Sequence, residues 1–232
     1  MENKRKINFD TLQKLGKVLM VVIAVMPAAG LMISIGKLIA MIGGGNIAAI
    51  LTLGSVVENI GWAIINNLHI LFAVAIGGSW AMERAGGAFA AVIAFILINC
   101  ITGQIFGVTQ DMLDDPGAVV QTLFGQKMEV NGYFVSVLGA PALNMGVFVG
   151  IISGFLGAAV YNKYYNFRSL PDALSFFNGK RFVPLVVILW SVIVSLVLSV
   201  VWPFIQLAIN SFGKWIASSS STSSILAPFV YG

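Results

Sequence analysis

VPLVVILWSVIVSLVLSVVWPF, residues 183–204, holds no charged side chain. A helix rising about 1.5 Å per residue needs about 20 apolar residues to cross about 30 Å of hydrocarbon. This run supplies them. Its β-branched residues would also suit a buried strand, but its length argues for a helix. Working outward, four more stretches read alike: roughly 18–40, 60–82, 86–107 and 137–161, with the quoted run extending over 183–210. The first begins VLMVVIAVMPAAGLM and contains Pro27, which frees a backbone carbonyl and kinks a helix. The fold class that follows is an all-α polytopic membrane protein of about five transmembrane helices, with an amphipathic helix on the cytoplasmic side.

Composition agrees. Of 232 residues, 58% are hydrophobic and 9% charged, against about 25% charged in soluble domains. So few charges cannot coat a soluble domain of this size. A cytosolic enzyme, a nucleic-acid binder and a disordered tail are excluded. The net charge of +4 is read first as membrane topology. One cysteine, Cys100, permits no internal disulfide, and one histidine, His69, excludes a multi-histidine metal site. No metal and no cofactor are expected.

Basic residues orient the chain. Lys4, Arg5, Lys6, Lys14 and Lys17 precede the first span, Arg84 lies between the second and third, and Lys163, Arg168, Lys180 and Arg181 lie between the fourth and fifth. If the spans alternate, these ten share one side, leaving Lys37, Lys127 and Lys214 on the other. The positive-inside rule then places the N-terminus in the cytoplasm.

The expected layout is as follows. Residues 1–17 form a cytoplasmic interfacial lead-in, with Phe9, Leu12 and Leu15 at helical spacing. No small-x-small cleavage site marks it as a signal peptide. Residues 18–161 hold four spans with extracytoplasmic loops at 41–59 and 108–136; the first loop carries Gly43, Gly44, Gly45 and Gly54, the second Asp111, Asp114, Asp115 and Glu129. Residues 162–182 form a cytoplasmic amphipathic connector with Leu170, Leu174 and Phe177 on one face, Pro171 in its first turn and Gly179 as its cap. Residues 183–210 are the fifth span. Residues 211–232 are an extracytoplasmic tail and the start of a truncated sixth span, since ILAPFVYG at 225–232 is too short to cross.

Few residues carry chemistry. His69 sits inside the second span, where a polar group must face protein interior or water; it suits a substrate hydrogen bond, a proton relay or a helix-to-helix hydrogen bond. Asn66 and Asn67 adjoin it, and Asn99 and Asn144 add amides in later spans. Amides offer both donors and acceptors to sugar hydroxyls. Glu58 and Glu83 fall at span edges, so no carboxylate pair exists for an ion-coupled relay. Cys100, in an apolar helix, reads as inert packing. Gly146, Gly150 and Gly154 recur every fourth residue, a flat stripe for helix packing or for a dimer contact. Glu83 and Arg84 read as a solvated turn.

LPDALSFFNGKRFVPL at 170–185 resembles a hallmark of enzyme IIC of the bacterial phosphotransferase system (PTS), in its glucose, maltose and N-acetylglucosamine branch. LQKLGKVLMVVIAVMPAAGLM at 12–32, NNLHILFAVAIG at 66–77 and MGVFVGIISGFLGAAVYNKYY at 145–165 are similar to family segments in the same order. The likeness covers most of 10–210 and is weakest over 108–136. Two departures stand out: His69 where the family commonly has proline, and Asn144 where it often has aspartate. The paired-histidine segment and glutamate motif of the family's later half do not occur here, nor does a IIB segment with its phosphoryl-carrying cysteine. The resemblance implies a homodimeric protein of the bacterial cytoplasmic membrane that imports a glucose- or maltose-type sugar while phosphorylating it. Phosphoryl groups would arrive from phosphoenolpyruvate through the HPr phosphocarrier and the IIA and IIB units. This chain would be the dimerising scaffold half, without a catalytic residue of its own. Asn67, His69 and Asn144 are its substrate-binding candidates. Lys180 and Arg181 would face an incoming phosphorylated IIB or sugar phosphate, or anchor the chain by the positive-inside rule. A non-catalytic assembly subunit and an ion-coupled permease remain the competing readings.

Overall fold

The structure, a computed structural model, describes residues 9–42, 47–122, 125 and 127–222. The basic cluster at Lys4, Arg5 and Lys6, the glycines at 43–45 and the apolar segment 225–232 lie outside the described residues. Five described helices are long and apolar enough to cross a membrane: Leu12–Ile42, Ala48–Asn66, Arg84–Ile105, Val147–Tyr164 and Gly179–Ile216. The chain divides into two compact units, one of Met1–Leu97 with Gly146–Trp190, the other of Ile98–Met145 with Ser191–Gly232.

The first unit begins with a long bent hairpin. α1 (Phe9–Ile23) runs into α2 (Val25–Ile42), and α3 (Ala48–Asn66) into α4 (Leu68–Trp80). α2 packs along α3 and α1 along α4, so both arms bend at matching distances from the tip. Each bend has a local cause. Pro27 cannot donate to the Ile23 carbonyl, and the first arm breaks at Ala24. Asn67 Nδ2 donates to the Ala63 carbonyl at 2.8 Å, spending on its own helix an acceptor that the next turn would use.

The extracytoplasmic loop expected over 41–59 is therefore mostly helix. Gly54 belongs to α3, and a Cβ there would stand 2.8 Å from the Ala40 nitrogen; one on Gly61 would stand 2.5 Å from the Ala29 carbonyl oxygen. These glycines serve close helix contact rather than flexibility. Lys37 of α2 pairs with Glu58 of α3 at 3.9 Å, and Trp62 Nε1 donates to the same carboxylate at 3.2 Å. Lys17 and Lys37 stand twenty residues apart, about 30 Å of helix. That matches one hydrocarbon thickness and sets the Lys37–Glu58 pair at an edge.

α5 (Arg84–Ile105) and α7 (Val147–Tyr164) pack beside α4. Ala90, Ala94, Val160, Tyr161, Val183 and Val187 form one buried cluster with the start of α8 (Phe182–Thr222). α7 begins at Val147 rather than near 137. The 162–182 connector is not an amphipathic α-helix but two short 3-10 turns, Asp172–Phe177 and Gly179–Arg181. Pro171 and Asn178, both with extended ψ, bound the first turn. Gly179 opens the second turn at φ +73°, donating its N–H to the Phe167 carbonyl at 2.6 Å. Phe167 stacks on Phe182 with centroids 4.9 Å apart, so the connector folds back on the helix it leads into.

In the second unit, the loop expected over 108–136 carries α6 (Gln110–Asp114) and a hairpin of β1 (Val119–Gln121) with β2 (Lys127–Glu129). A further hairpin pairs β3 (Phe134–Val137) with β4 (Ala140–Leu143). Its two-residue turn, Leu138–Gly139, has φ of 52° and 81°, the mirror-type turn that suits right-twisted strands. Gly103 of α5 lies against the Pro141 backbone, leaving no room for a Cβ. α8 runs helical to Thr222, past the end expected near Asn210. Its Ser191, Ser195 and Ser199, spaced one turn apart, are buried. Trp202 Nε1 donates to the Asn144 carbonyl at 3.0 Å and to Gln206 Oε1 at 3.1 Å.

Candidate functional site

A polar cluster of the first unit forms where α4 turns into α5. Asn162 of α7 fixes that turn from both sides. Its Oδ1 accepts the Met82 N–H at 2.6 Å, and its Nδ2 donates to the Trp80 carbonyl at 2.9 Å. The turn thereby presents Glu83, whose Oε2 lies 2.5 Å from Lys180 Nζ and accepts a hydrogen bond from the Tyr161 hydroxyl. Lys180, and after it the Tyr161 hydroxyl, hold the Glu83 carboxyl below its ordinary range, since both stabilise the charged form. Gly86 makes room for the Tyr161 ring, where any Cβ would collide.

Beside this cluster lies a hollow of about 300 Å³, lined by Glu83, Phe89, Tyr161, Lys180, Arg181 and Pro184, among others. Arg181 rests on the Phe176 ring, 4.6 Å from its centroid, and Nη1 donates to the Phe176 carbonyl at 3.4 Å. Two cations and one carboxylate thus share an exposed rim. The rim can exchange partners with an anion, because an incoming charge competes with Glu83 for Lys180. Sequence reasoning found Lys180 and Arg181, read Glu83 as part of a solvated turn, and passed over Tyr161 and Asn162. The available signals were a carboxylate in a turn between apolar runs and two polar side chains at the end of an apolar helix.

The other sequence candidates are placed as follows. Asn67 has its amide on the Ala63 carbonyl. His69 packs on Phe95, ring centroids 5.0 Å apart, and its buried Nε2 has no hydrogen-bond partner among the described residues. Asn144, in the second unit, donates its backbone N–H to the Tyr133 carbonyl at 2.8 Å and points Nδ2 to the Gly132 carbonyl at 3.5 Å. Gly150 lies against the His69 backbone, while a Cβ on Gly154 would stand 2.8 Å from Ile76 Cβ. The α4 face fills both positions. Gly146 has open space around it and φ +52°, and it caps the start of α7. Among the described residues no three His, Cys, Asp or Glu side chains come together as metal ligands.

A profile of the family described as "Phosphotransferase system, EIIC" matches residues 16–232. The PTS system glucose-specific EIICBA component of Streptococcus pneumoniae serotype 4 is 67% identical over 229 residues, which are 99% of this chain and 31% of that protein. The protein of the same name from Staphylococcus carnosus is 35% identical over 236 residues, covering 97% of this chain and 31% of the relative. The chain spans about a third of the length of these relatives. The profile match over 16–232 and the identity to both relatives lead to one conclusion: the chain belongs to the phosphotransferase system EIIC family, whose members are membrane proteins of the bacterial plasma membrane.

Proposed function

We propose that this chain is the dimerising scaffold half of the membrane unit of a sugar phosphotransferase transporter. It imports a glucose-type sugar and couples entry to phosphorylation. The 67% identity to a protein named glucose-specific carries the reading, and both relatives' names favour glucose over maltose. The names of both relatives, EIICBA, also support IIB and IIA units as partners, with the HPr phosphocarrier upstream. The described cations Lys14, Lys17, Arg84, Lys163, Arg168, Lys180 and Arg181 support a cytoplasmic N-terminus. A homodimer belongs to the proposal. Because α4 covers Gly150 and Gly154, its contact uses another surface.

In this reading Lys180 and Arg181 meet the phosphorylated partner on the cytoplasmic side. Glu83 holds Lys180 until a stronger anion takes it. The proposed sugar contact within this chain narrows to His69, since Asn67 and Asn144 are engaged with backbone. The test is a sugar panel. Membranes carrying the full-length protein, supplied with phosphoenolpyruvate and soluble carriers, should phosphorylate glucose in preference to maltose and N-acetylglucosamine. Equal rates on all three would overturn the glucose assignment.

A further inference from the structure

A second groove in the first unit, about 680 Å³, lies where α1, α4 and α5 meet, and three cations line it: Lys14, Lys17 and Arg84. Its lining contains no carboxylate. Among the described residues none of the three cations forms an ion pair. Lys14 sits over the Trp80 ring, 5.0 Å from its centroid, which holds the ammonium at the groove without neutralising it. The carboxylate next to Arg84 in sequence, Glu83, is engaged with Lys180 and Tyr161. Three like charges around one concavity repel one another and raise the local anion concentration.

The rest of the groove decides what kind of anion fits. Beneath the cations its walls are apolar, with Val18, Val74 and Ala88, while Ser79 adds a hydroxyl. Lys17 immediately precedes the uncharged apolar run that starts at Val18, Arg84 opens α5, and Trp80 ends α4. All three therefore stand at one membrane boundary, where tryptophan and basic side chains meet headgroups. A soluble anion would use the cations and leave the apolar wall wet. A phospholipid fills both, its phosphate on the cations and its acyl chain along the helices.

We propose that this groove binds the phosphate of an anionic phospholipid. The test uses purified full-length protein in neutral detergent, titrated with phosphatidylglycerol and read by native mass spectrometry. The triple variant K14Q/K17Q/R84Q should bind roughly a hundredfold more weakly, at about fivefold per cation. The charge-keeping variant K14R/K17R/R84K should restore binding. K214Q, which removes a charge elsewhere, should bind as wild type. If the triple variant fails to fold, K17Q and R84Q singly should each weaken binding severalfold. Equal binding by wild type and the glutamine variants would overturn the proposal, as would equal uptake of neutral phosphatidylcholine. A thermal shift with inorganic phosphate alone, matching that of phosphatidylglycerol and lost in the triple variant, would assign the groove to a soluble anion and overturn the lipid.

Discussion

Lys180 Nζ lies 2.5 Å from Glu83 Oε2, and this pair ties the connector before α8 to the turn between α4 and α5. Removing it by E83Q should release the connector. Residues 170–181 then exchange amide hydrogens faster than in wild type at neutral pH. The pH dependence has a definite sign. The folded Glu83 carboxyl is depressed below an unfolded value of about 4.3. Its contribution is complete above that value and is lost as pH falls through the folded one. Wild type and E83Q should therefore differ at neutral pH and converge in acid; a difference that grew on acidification would contradict the pair.

The same turn depends on Asn162. Its oxygen and nitrogen serve opposite partners, Met82 N–H and Trp80 carbonyl, so no simple isostere replaces both. N162L should lower stability by about 1–3 kcal/mol by leaving two backbone groups unpaired. N162D keeps the acceptor and loses the donor, so it should fall between. Thermal melts in detergent read the order. N162D as damaging as N162L would show that the acceptor bond contributes little.

Legibility from sequence followed sequence distance. The spans around 18–40, 86–107 and 183–204 were readable because an apolar run needs no partner to declare itself. The stretch 48–59 was misread because Gly54, taken with 43–45, signalled a flexible loop. Its actual reason is the approach of α2, which no local pattern states. The amphipathic spacing of Leu170, Leu174 and Phe177 suggested an α-helix, but Pro171 and Asn178 leave room for only one 3-10 turn. Lys180 and Arg181 stood out as charges beside a span. Glu83, Tyr161 and Asn162 did not, because their significance lies in contacts across some eighty residues of chain or more.

The glycine stripe of α7 makes a ranked prediction. Gly150 touches the His69 backbone, and Gly154 touches the Ile76 side chain. Backbone cannot step aside as a side chain can, so G150A should destabilise more than G154A, by about 1–3 kcal/mol. Gly146 has space but φ 52° and ψ −134°, a backbone region that side chains disfavour, so G146A should cost about 1–3 kcal/mol from backbone strain alone. The loss in G150A should not depend on protein concentration. A loss that vanished at high concentration would mean that the stripe is a dimer contact.

His69 separates packing from substrate contact. Its Nε2 is buried without a partner while the ring bonds the Asn66 backbone. H69M gives up one bond and one unsatisfied atom together, so stability should move by less than about 1 kcal/mol. As the proposed sugar contact, it should raise KM severalfold with kcat held. A stability loss with KM unchanged would assign the residue to packing.

The central claim is that sugar crosses this membrane unit together with its phosphorylation. Sealed vesicles carrying the full-length protein, given labelled glucose outside and the soluble carriers inside, test it most directly. The account predicts glucose phosphate inside only when phosphoenolpyruvate is present, with accumulation unmoved by an ionophore. Free glucose accumulating without phosphoenolpyruvate and collapsing with the ion gradient would contradict it.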